Sequence, residues 1–126
     1  MMQSCIGVDI IEIDRIRQAV SRWGDRFLKR IYTEAELTLC CGRLESLAAR
    51  FAAKEAVIKA LNPPQYAVSW KDIEILSGPN GEPIVNLKGV LQKQAEKLGL
   101  GGVSISLSHS RDNAVAMVIG IGDKKF

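Results

Sequence analysis

The sequence predicts an α+β fold in which antiparallel β-hairpins pack around a long central helix, and three observations carry that prediction. Residues 44–61 contain no glycine or proline and are rich in alanine and leucine, the pattern of an uninterrupted helix about 27 Å long at 1.5 Å per residue. Pro63-Pro64 stop it, because proline has no N–H to donate and restricts the residue before it. Beyond the prolines the apolar period changes from helical to two, and Gly78-Pro79-Asn80-Gly81 forms a strong turn signal between two short alternating runs.

Taken in order, residues 5–11 alternate, with Ile6, Val8 and Ile10 on one face of a strand and Gly7, Asp9 and Ile11 on the other. An aspartate inside an apolar strand needs a reason. Asp9 is either at an edge with its carboxylate in water or a metal ligand. Asp14 is expected to cap the next helix, whose Ile16, Ala19, Val20 and Trp23 share an inward stripe while Arg15 and Arg22, seven apart, lie along one exposed flank. Asp25 is expected to cap a short second helix, with Phe27, Leu28 and Ile31 inward. Thr33-Glu34-Ala35-Glu36 has the form of a capping box and should open a third helix running to about Cys41-Gly42.

The central helix is apolar on most sides, as expected of a buried one: Leu44, Leu47, Ala48, Phe51 and Ile58 take one side, Ala53, Val57, Ala60 and Leu61 the other. Glu55 projects from the first side. A carboxylate there is costly unless satisfied. It either pairs with Lys59 one turn on or reaches a metal ion, with Lys59 beside it facing an anionic substrate. Strands are expected over 72–76 and 84–87, a helix over 90–98 closed by Gly99, a strand over 103–110 with Val103, Ile105 and Leu107 inward, a turn at 111–113 and a last strand over 114–121. His109 shares the parity of the core-facing residues at a strand end, so it is either a satisfied core histidine or a functional one.

The 126 residues suit one domain spanning 1–126, and 47% hydrophobic with 25% charged residues is ordinary for a soluble globular chain. No apolar run approaches the roughly 20 residues that span a bilayer, and residues 1–5 lack the basic and apolar regions of a secretory signal. Three cysteines, two of them adjacent, fit a reduced cytoplasmic protein, and a single histidine argues against zinc. The net charge of +3 is uneven: residues 15–30 carry six basic side chains and one acid, leaving the remainder net negative. That window is either a solvated face or the docking surface for an acidic partner. Nucleic acid is disfavoured as that partner, because Trp23 and Phe27 fit inward positions rather than exposed ones interleaved with the basic residues.

Three segments, Gly7-Val8-Asp9-Ile10-Ile11-Glu12 followed by Arg15, Arg50-Phe51-Ala52-Ala53-Lys54-Glu55-Ala56-Val57-Ile58-Lys59-Ala60, and Ser106-Leu107-Ser108-His109-Ser110, together resemble the motifs of the holo-[acyl-carrier-protein] synthases, the short members of the 4′-phosphopantetheinyl transferase superfamily. The resemblance covers nearly the whole chain in the right order. It implies the 4′-phosphopantetheinyl transferase fold and Mg²⁺-dependent transfer of 4′-phosphopantetheine from coenzyme A to a serine of apo-acyl carrier protein, releasing adenosine 3′,5′-bisphosphate and serving fatty acid biosynthesis.

By that resemblance Asp9 and Glu55 are the metal ligands and, with Lys59, the catalytic set. Lys59 also meets the pyrophosphate, and Arg50, His109 and Ser110 bind the 3′-phosphate side of coenzyme A. Arg15, Arg22 and Arg26 meet the acidic carrier protein. The resemblance further implies a homotrimer with active sites at subunit interfaces; the residues themselves argue against a nucleic acid or membrane partner. One departure is evident: where the family continues into a Gly-Thr-Gly-type loop, this chain reads Asn62-Pro63-Pro64-Gln65-Tyr66. A carrier-binding module without turnover is the alternative that this departure raises, and a basic nucleic-acid-binding domain is a more distant one.

Overall fold

The computed structural model describes residues 4–122, so both ends of the expected 1–126 domain lie outside the described residues. The chain runs β1 (Ser4–Glu12), α1 (Ile13–Trp23), α2 (Asp25–Ile31), α3 (Glu34–Cys40), α4 (Leu44–Leu61), β2 (Ile73–Ser77), β3 (Pro83–Leu87), α5 (Gly89–Lys97), β4 (Leu100–His109) and β5 (Asn113–Gly122). Two short 3-10 turns, Gln65–Ala67 and Trp70–Asp72, bridge α4 to β2. β1, β5 and β4 form an antiparallel sheet in that order, and β2 and β3 form a separate hairpin. The α+β class with a central helix is thus the observed one.

α4 is the centre. Its Ala52, Ala53, Ala56, Val57 and Leu61 are buried with Ala116 and Val118 of β5, Ile73 and Ile75 of β2, and Leu91 of α5. Its N-terminal half packs into a second cluster with Ile13, Ile16, Ile31, Tyr32 and Ala114. Alanines on facing positions let strands approach on more than one side, which is why a helix with no single apolar stripe is stable here.

Inside this core sits one ion pair. Lys54 and Glu36 have fully buried side chains, with Nζ 2.7 Å from Oε1. Lys54 also donates to the carbonyls of Trp70 and Ile73. Glu36 accepts from the Thr33 and Ile75 backbone N–H groups. Burial holds the Lys54 ammonium below its usual pKa, against the pull of Glu36. With every donor and acceptor satisfied, the pair ties α3, α4 and β2 together in one geometry. Glu36 thereby also completes the capping box predicted at Thr33, whose hydroxyl accepts from the Glu36 N–H.

Several local expectations change. Asp14 does not cap α1; Glu12 occupies that position, and the helix entry is held by the Ile13 N–H donating to the Asp112 carbonyl. Asp14 instead sits in the first turn and accepts from Arg17 and Gln18. Asp25 lies one residue inside α2, because Gly24, at φ 55°, forms the junction between the two helices. Trp23 points outward rather than inward, 51% exposed, with the Arg22 guanidinium 5.1 Å from its ring centroid. His109 is exposed, since β4 extends past the core before it turns. Of the two faces of β1, the glycine–aspartate–isoleucine face meets α4, while Ile6, Val8 and Ile10 are exposed.

Candidate active site

The site begins where β1 crosses α4. A β-carbon added at Gly7 would clash with the Ala56 carbonyl oxygen and come within 3.1 Å of the Ala60 side chain. Glycine therefore lets the strand lie directly on the helix backbone. Two residues on, the same face presents Asp9, and α4 presents Glu55. Both carboxylates line one cavity of about 350 Å³ with Ile10, Ile11, Arg15, Ile16, Ala19, Phe27 and Phe51. Burial, then the negative charge of Asp9, push the Glu55 carboxyl above its usual pKa, while Lys59 opposes the shift. The two carboxylates are thus close enough to repel one another, the condition a shared cation relieves.

Lys59 does not pair with Glu55 across the helix turn. Its Nζ donates to Asp9 Oδ1 at 2.8 Å and to the Val8 carbonyl at 3.3 Å, and the Asp9 hydrogen bond raises its pKa. An ammonium on a carboxylate marks the spot as one that takes positive charge. Among the described residues no group of three or more acidic, histidine or cysteine side chains gathers around a single point. The donor set supplied by this chain is therefore two hard carboxylates, which suits Mg²⁺, an ion that keeps several waters and takes phosphate oxygens alongside one or two protein carboxylates.

A second cavity, also about 350 Å³, opens elsewhere on α4, between the N-terminal part of the helix, the β2–β3 turn and β4. It is lined by Arg50, Arg43, Ser46, Ser77 and Ser106 among others. Arg50 is only 8% exposed. Its guanidinium donates to the Ile75 carbonyl at 3.0 Å and, at 3.4 Å, to the Ser46 carbonyl and the Ser77 hydroxyl. None of the ion pairs among the described residues includes Arg50. A buried guanidinium bonded only to neutral oxygens keeps an unpaired charge that an anion could meet. Arg50 precedes Glu55 by five residues, about 140° around the helix, and the two line different cavities. His109 and Ser110, at the end of β4 and the turn after it, line neither cavity; Ser110 is engaged with Asn113 there.

A third cavity, about 580 Å³, adjoins the first through Phe27 and Phe51. Trp23, Ile31 and Trp70 complete its apolar lining, and Arg26 and Arg30 stand beside them. Phe51 stacks on Trp70 at 5.1 Å between centroids. Of the three arginines assigned to an acidic partner, Arg15 lines the carboxylate cavity, Arg26 the aromatic one, and Arg22 covers Trp23 between α1 and α2. Arg17, by contrast, is neutralised by Asp14 at 2.7 Å. Sequence reasoning missed Arg43 and the aromatic cavity, whose members come from positions too scattered for any spacing rule; Arg30 enters it only as part of the basic window 15–30.

Asn62 takes the left-handed conformation, φ 48°, and its N–H closes the helix on the Ile58 carbonyl. Asparagine is the residue that best replaces glycine there. Gln94 of α5 donates to the freed Leu61 carbonyl at 2.8 Å. Pro63 is buried and Tyr66 is 94% exposed.

Residues 5–117 match the family model of the 4′-phosphopantetheinyl transferase superfamily. The holo-[acyl-carrier-protein] synthase of Herpetosiphon aurantiacus is 51% identical over 123 residues, covering 92% of this chain and 97% of that one. A holo-[acyl-carrier-protein] synthase of Dehalococcoides mccartyi is 58% identical over 113 residues, covering 90% and 94%. Among solved structures, the Helicobacter pylori holo-[acyl-carrier-protein] synthase in complex with coenzyme A superposes with a TM-score of 0.82 at 34% identity, covering 91% of this chain and 98% of that one. The Bacillus anthracis enzyme in complex with coenzyme A (3′,5′-ADP) gives 0.77 at 36% identity, covering 98% and 100%. With its fold, its paired carboxylates and these matches taken together, the chain belongs to the 4′-phosphopantetheinyl transferase superfamily.

Proposed function

We propose that the chain is a holo-[acyl-carrier-protein] synthase. It transfers 4′-phosphopantetheine from coenzyme A to a serine of apo-acyl carrier protein, in support of fatty acid biosynthesis. The observation that carries this reading is the pair Asp9 and Glu55, brought from β1 and α4 onto one cavity beside a lysine. In the reaction the carrier serine oxygen forms a bond to the β-phosphorus while the bond to the bridging oxygen breaks; the hydroxyl proton is released to solvent and adenosine 3′,5′-bisphosphate leaves. Such a transfer needs positioning and charge stabilisation more than covalent help from the protein.

Asp9 and Glu55 would hold Mg²⁺, which when bound supplies neutralisation of the charge on the pyrophosphate. Lys59 adds a mobile cation at the same place. Arg50 offers a buried guanidinium to a phosphate; the sequence motif assigns it, with His109 and Ser110, to the 3′-phosphate side of coenzyme A. Arg15, Arg22 and Arg26 take the acidic carrier, steering and orienting it toward the carboxylate cavity.

The working unit in this reading is a homotrimer, and residues 1–126 act as one transferase domain within it. The outer face of the sheet supports assembly: Ile6 pairs with Ile119 and Val8 with Met117 across β1 and β5, and all four are exposed, as is Ile121. A contiguous apolar sheet face of this kind is a partner surface. The separation of Arg50 from Glu55 around α4 supports active sites shared between subunits. No helix among the described residues is long and apolar enough to cross a membrane, and three unpaired cysteines favour the cytoplasm. The test is release of adenosine 3′,5′-bisphosphate, followed by chromatography. Release is expected only when coenzyme A, Mg²⁺ and a carrier bearing its serine are all present; release unaffected by omitting the carrier would contradict the reading.

A further inference from the structure

Lys59 lies fifty residues from Asp9 in sequence, yet it donates to Asp9 Oδ1 at 2.8 Å and to the neighbouring Val8 carbonyl. The Lys59 side chain is 55% exposed and sits in the last turn of α4, whose core face is filled by other residues. An ammonium therefore rests on one of the two carboxylates that the proposed function gives to a divalent cation. Two cations on the same carboxylate repel one another, so the lysine on Oδ1 disfavours a metal ion at Asp9.

We propose that Lys59 couples metal binding to coenzyme A binding. Without nucleotide, Lys59 holds Asp9 and weakens the metal site. When the pyrophosphate is in place, Lys59 transfers to a phosphate oxygen and leaves Asp9 to the metal. The inference rests on Asp9 and Glu55 being the metal ligands. The charges support it: Asp9 and Glu55 on the cavity wall are opposed by Arg15 beside them and by Lys59 on Asp9, so the site's net charge is close to zero and attracts a dication weakly. The pyrophosphate adds negative charge and a second partner for the lysine. Lysine suits the part, because it is a compact cation with three donors on a flexible stem. A half-exposed side chain changes partners at little cost. By reciprocity the metal must then raise the affinity for coenzyme A by the factor by which coenzyme A raises the affinity for the metal.

The experiment titrates manganese(II) into the full-length protein and reads the free ion by electron paramagnetic resonance. It is run with and without saturating coenzyme A, and the protein-free coenzyme–manganese complex is subtracted. Wild type is expected to bind the ion weakly alone and at least about tenfold more tightly with coenzyme A. Lys59→Met is expected to bind it about tenfold more tightly than wild type without coenzyme A, and to gain less than wild type on adding it, because only the phosphate oxygens then contribute. Lys59→Arg, which keeps the charge, should restore the dependence on coenzyme A. If Lys59→Met alone binds the ion no more tightly than wild type, the coupling role is wrong and the metal site stands. If wild type with coenzyme A holds no manganese at all, the metal site itself is wrong and the coupling falls with it.

Discussion

The backbone of Gly7 lies against the carbonyl of Ala56 so closely that a β-carbon cannot fit between them. This contact sets the distance between the strand that carries Asp9 and the helix that carries Glu55 and Lys59. Gly7→Ala is therefore expected to push β1 off α4, lowering stability by about 1–3 kcal/mol through overpacking. Activity should fall further than the remaining folded fraction accounts for, because the carboxylates lose their spacing. Chemical denaturation and turnover measured on the same preparation check this. Wild-type turnover per folded molecule would show that the crossing does not position the site.

Lys54 and Glu36 form the buried pair that fixes α4 against β2. Removing one member leaves the other charged and unpaired in the core. Lys54→Met and Glu36→Gln are each expected to cost about 3–5 kcal/mol, and the double variant less than the sum of the two. Equilibrium unfolding in urea measures all three. Additive losses would mean that the two residues do not act as a pair.

Thr33 serves two partners, capping α3 through the Glu36 N–H and donating its hydroxyl to Glu74 at 2.7 Å. That hydrogen bond, first among the causes, holds the Glu74 carboxyl below its usual value of 4.5. A carboxyl depressed in the folded state adds stability that is present above 4.5 and is lost as pH falls through the lowered value. Thr33→Val should therefore cost about 1–2 kcal/mol at neutral pH, the gap to wild type narrowing in acid. A gap that stays constant down to the acid transition would place the whole effect in the helix cap.

These elements also show what was legible in the sequence. The limits of α4, the capping box at Thr33 and the hairpin around residues 78–81 were legible because local chemistry dictates each. Asp9 and Glu55 stood out as acids against apolar surroundings, and they do line one cavity. The inward face of β1 was not legible, because isoleucines lie on both faces and only the approach to Ala56 selects the glycine side. The partner of Lys59 was not legible either, since an i,i+4 rule points to Glu55 while the fold supplies Asp9 from β1. Nor can spacing along one chain show that Arg50 and Glu55 open onto different cavities. Asn62-Pro63-Pro64 stood out for prolines in place of glycines; Asn62 takes the left-handed backbone conformation and Pro63 is buried.

The split between the Arg50 and Glu55 cavities predicts complementation between subunits. Asp9→Asn and Arg50→Gln, each produced alone, are expected to be nearly inactive. Co-expressed in equal amounts, they should recover about a quarter of wild-type activity, the share of head-to-tail interfaces that pair two intact halves. No recovery, with mixed assemblies verified by native mass spectrometry, would place the whole site within one chain.

The most direct measurement of the transferase assignment is the intact mass of apo-acyl carrier protein after incubation with this protein, coenzyme A and Mg²⁺. The predicted result is a gain of one phosphopantetheine group, lost when the carrier serine is replaced and lost again with Glu55→Gln, whose fold is preserved by circular dichroism. An unchanged carrier mass in the presence of folded, carrier-binding wild-type protein would contradict it.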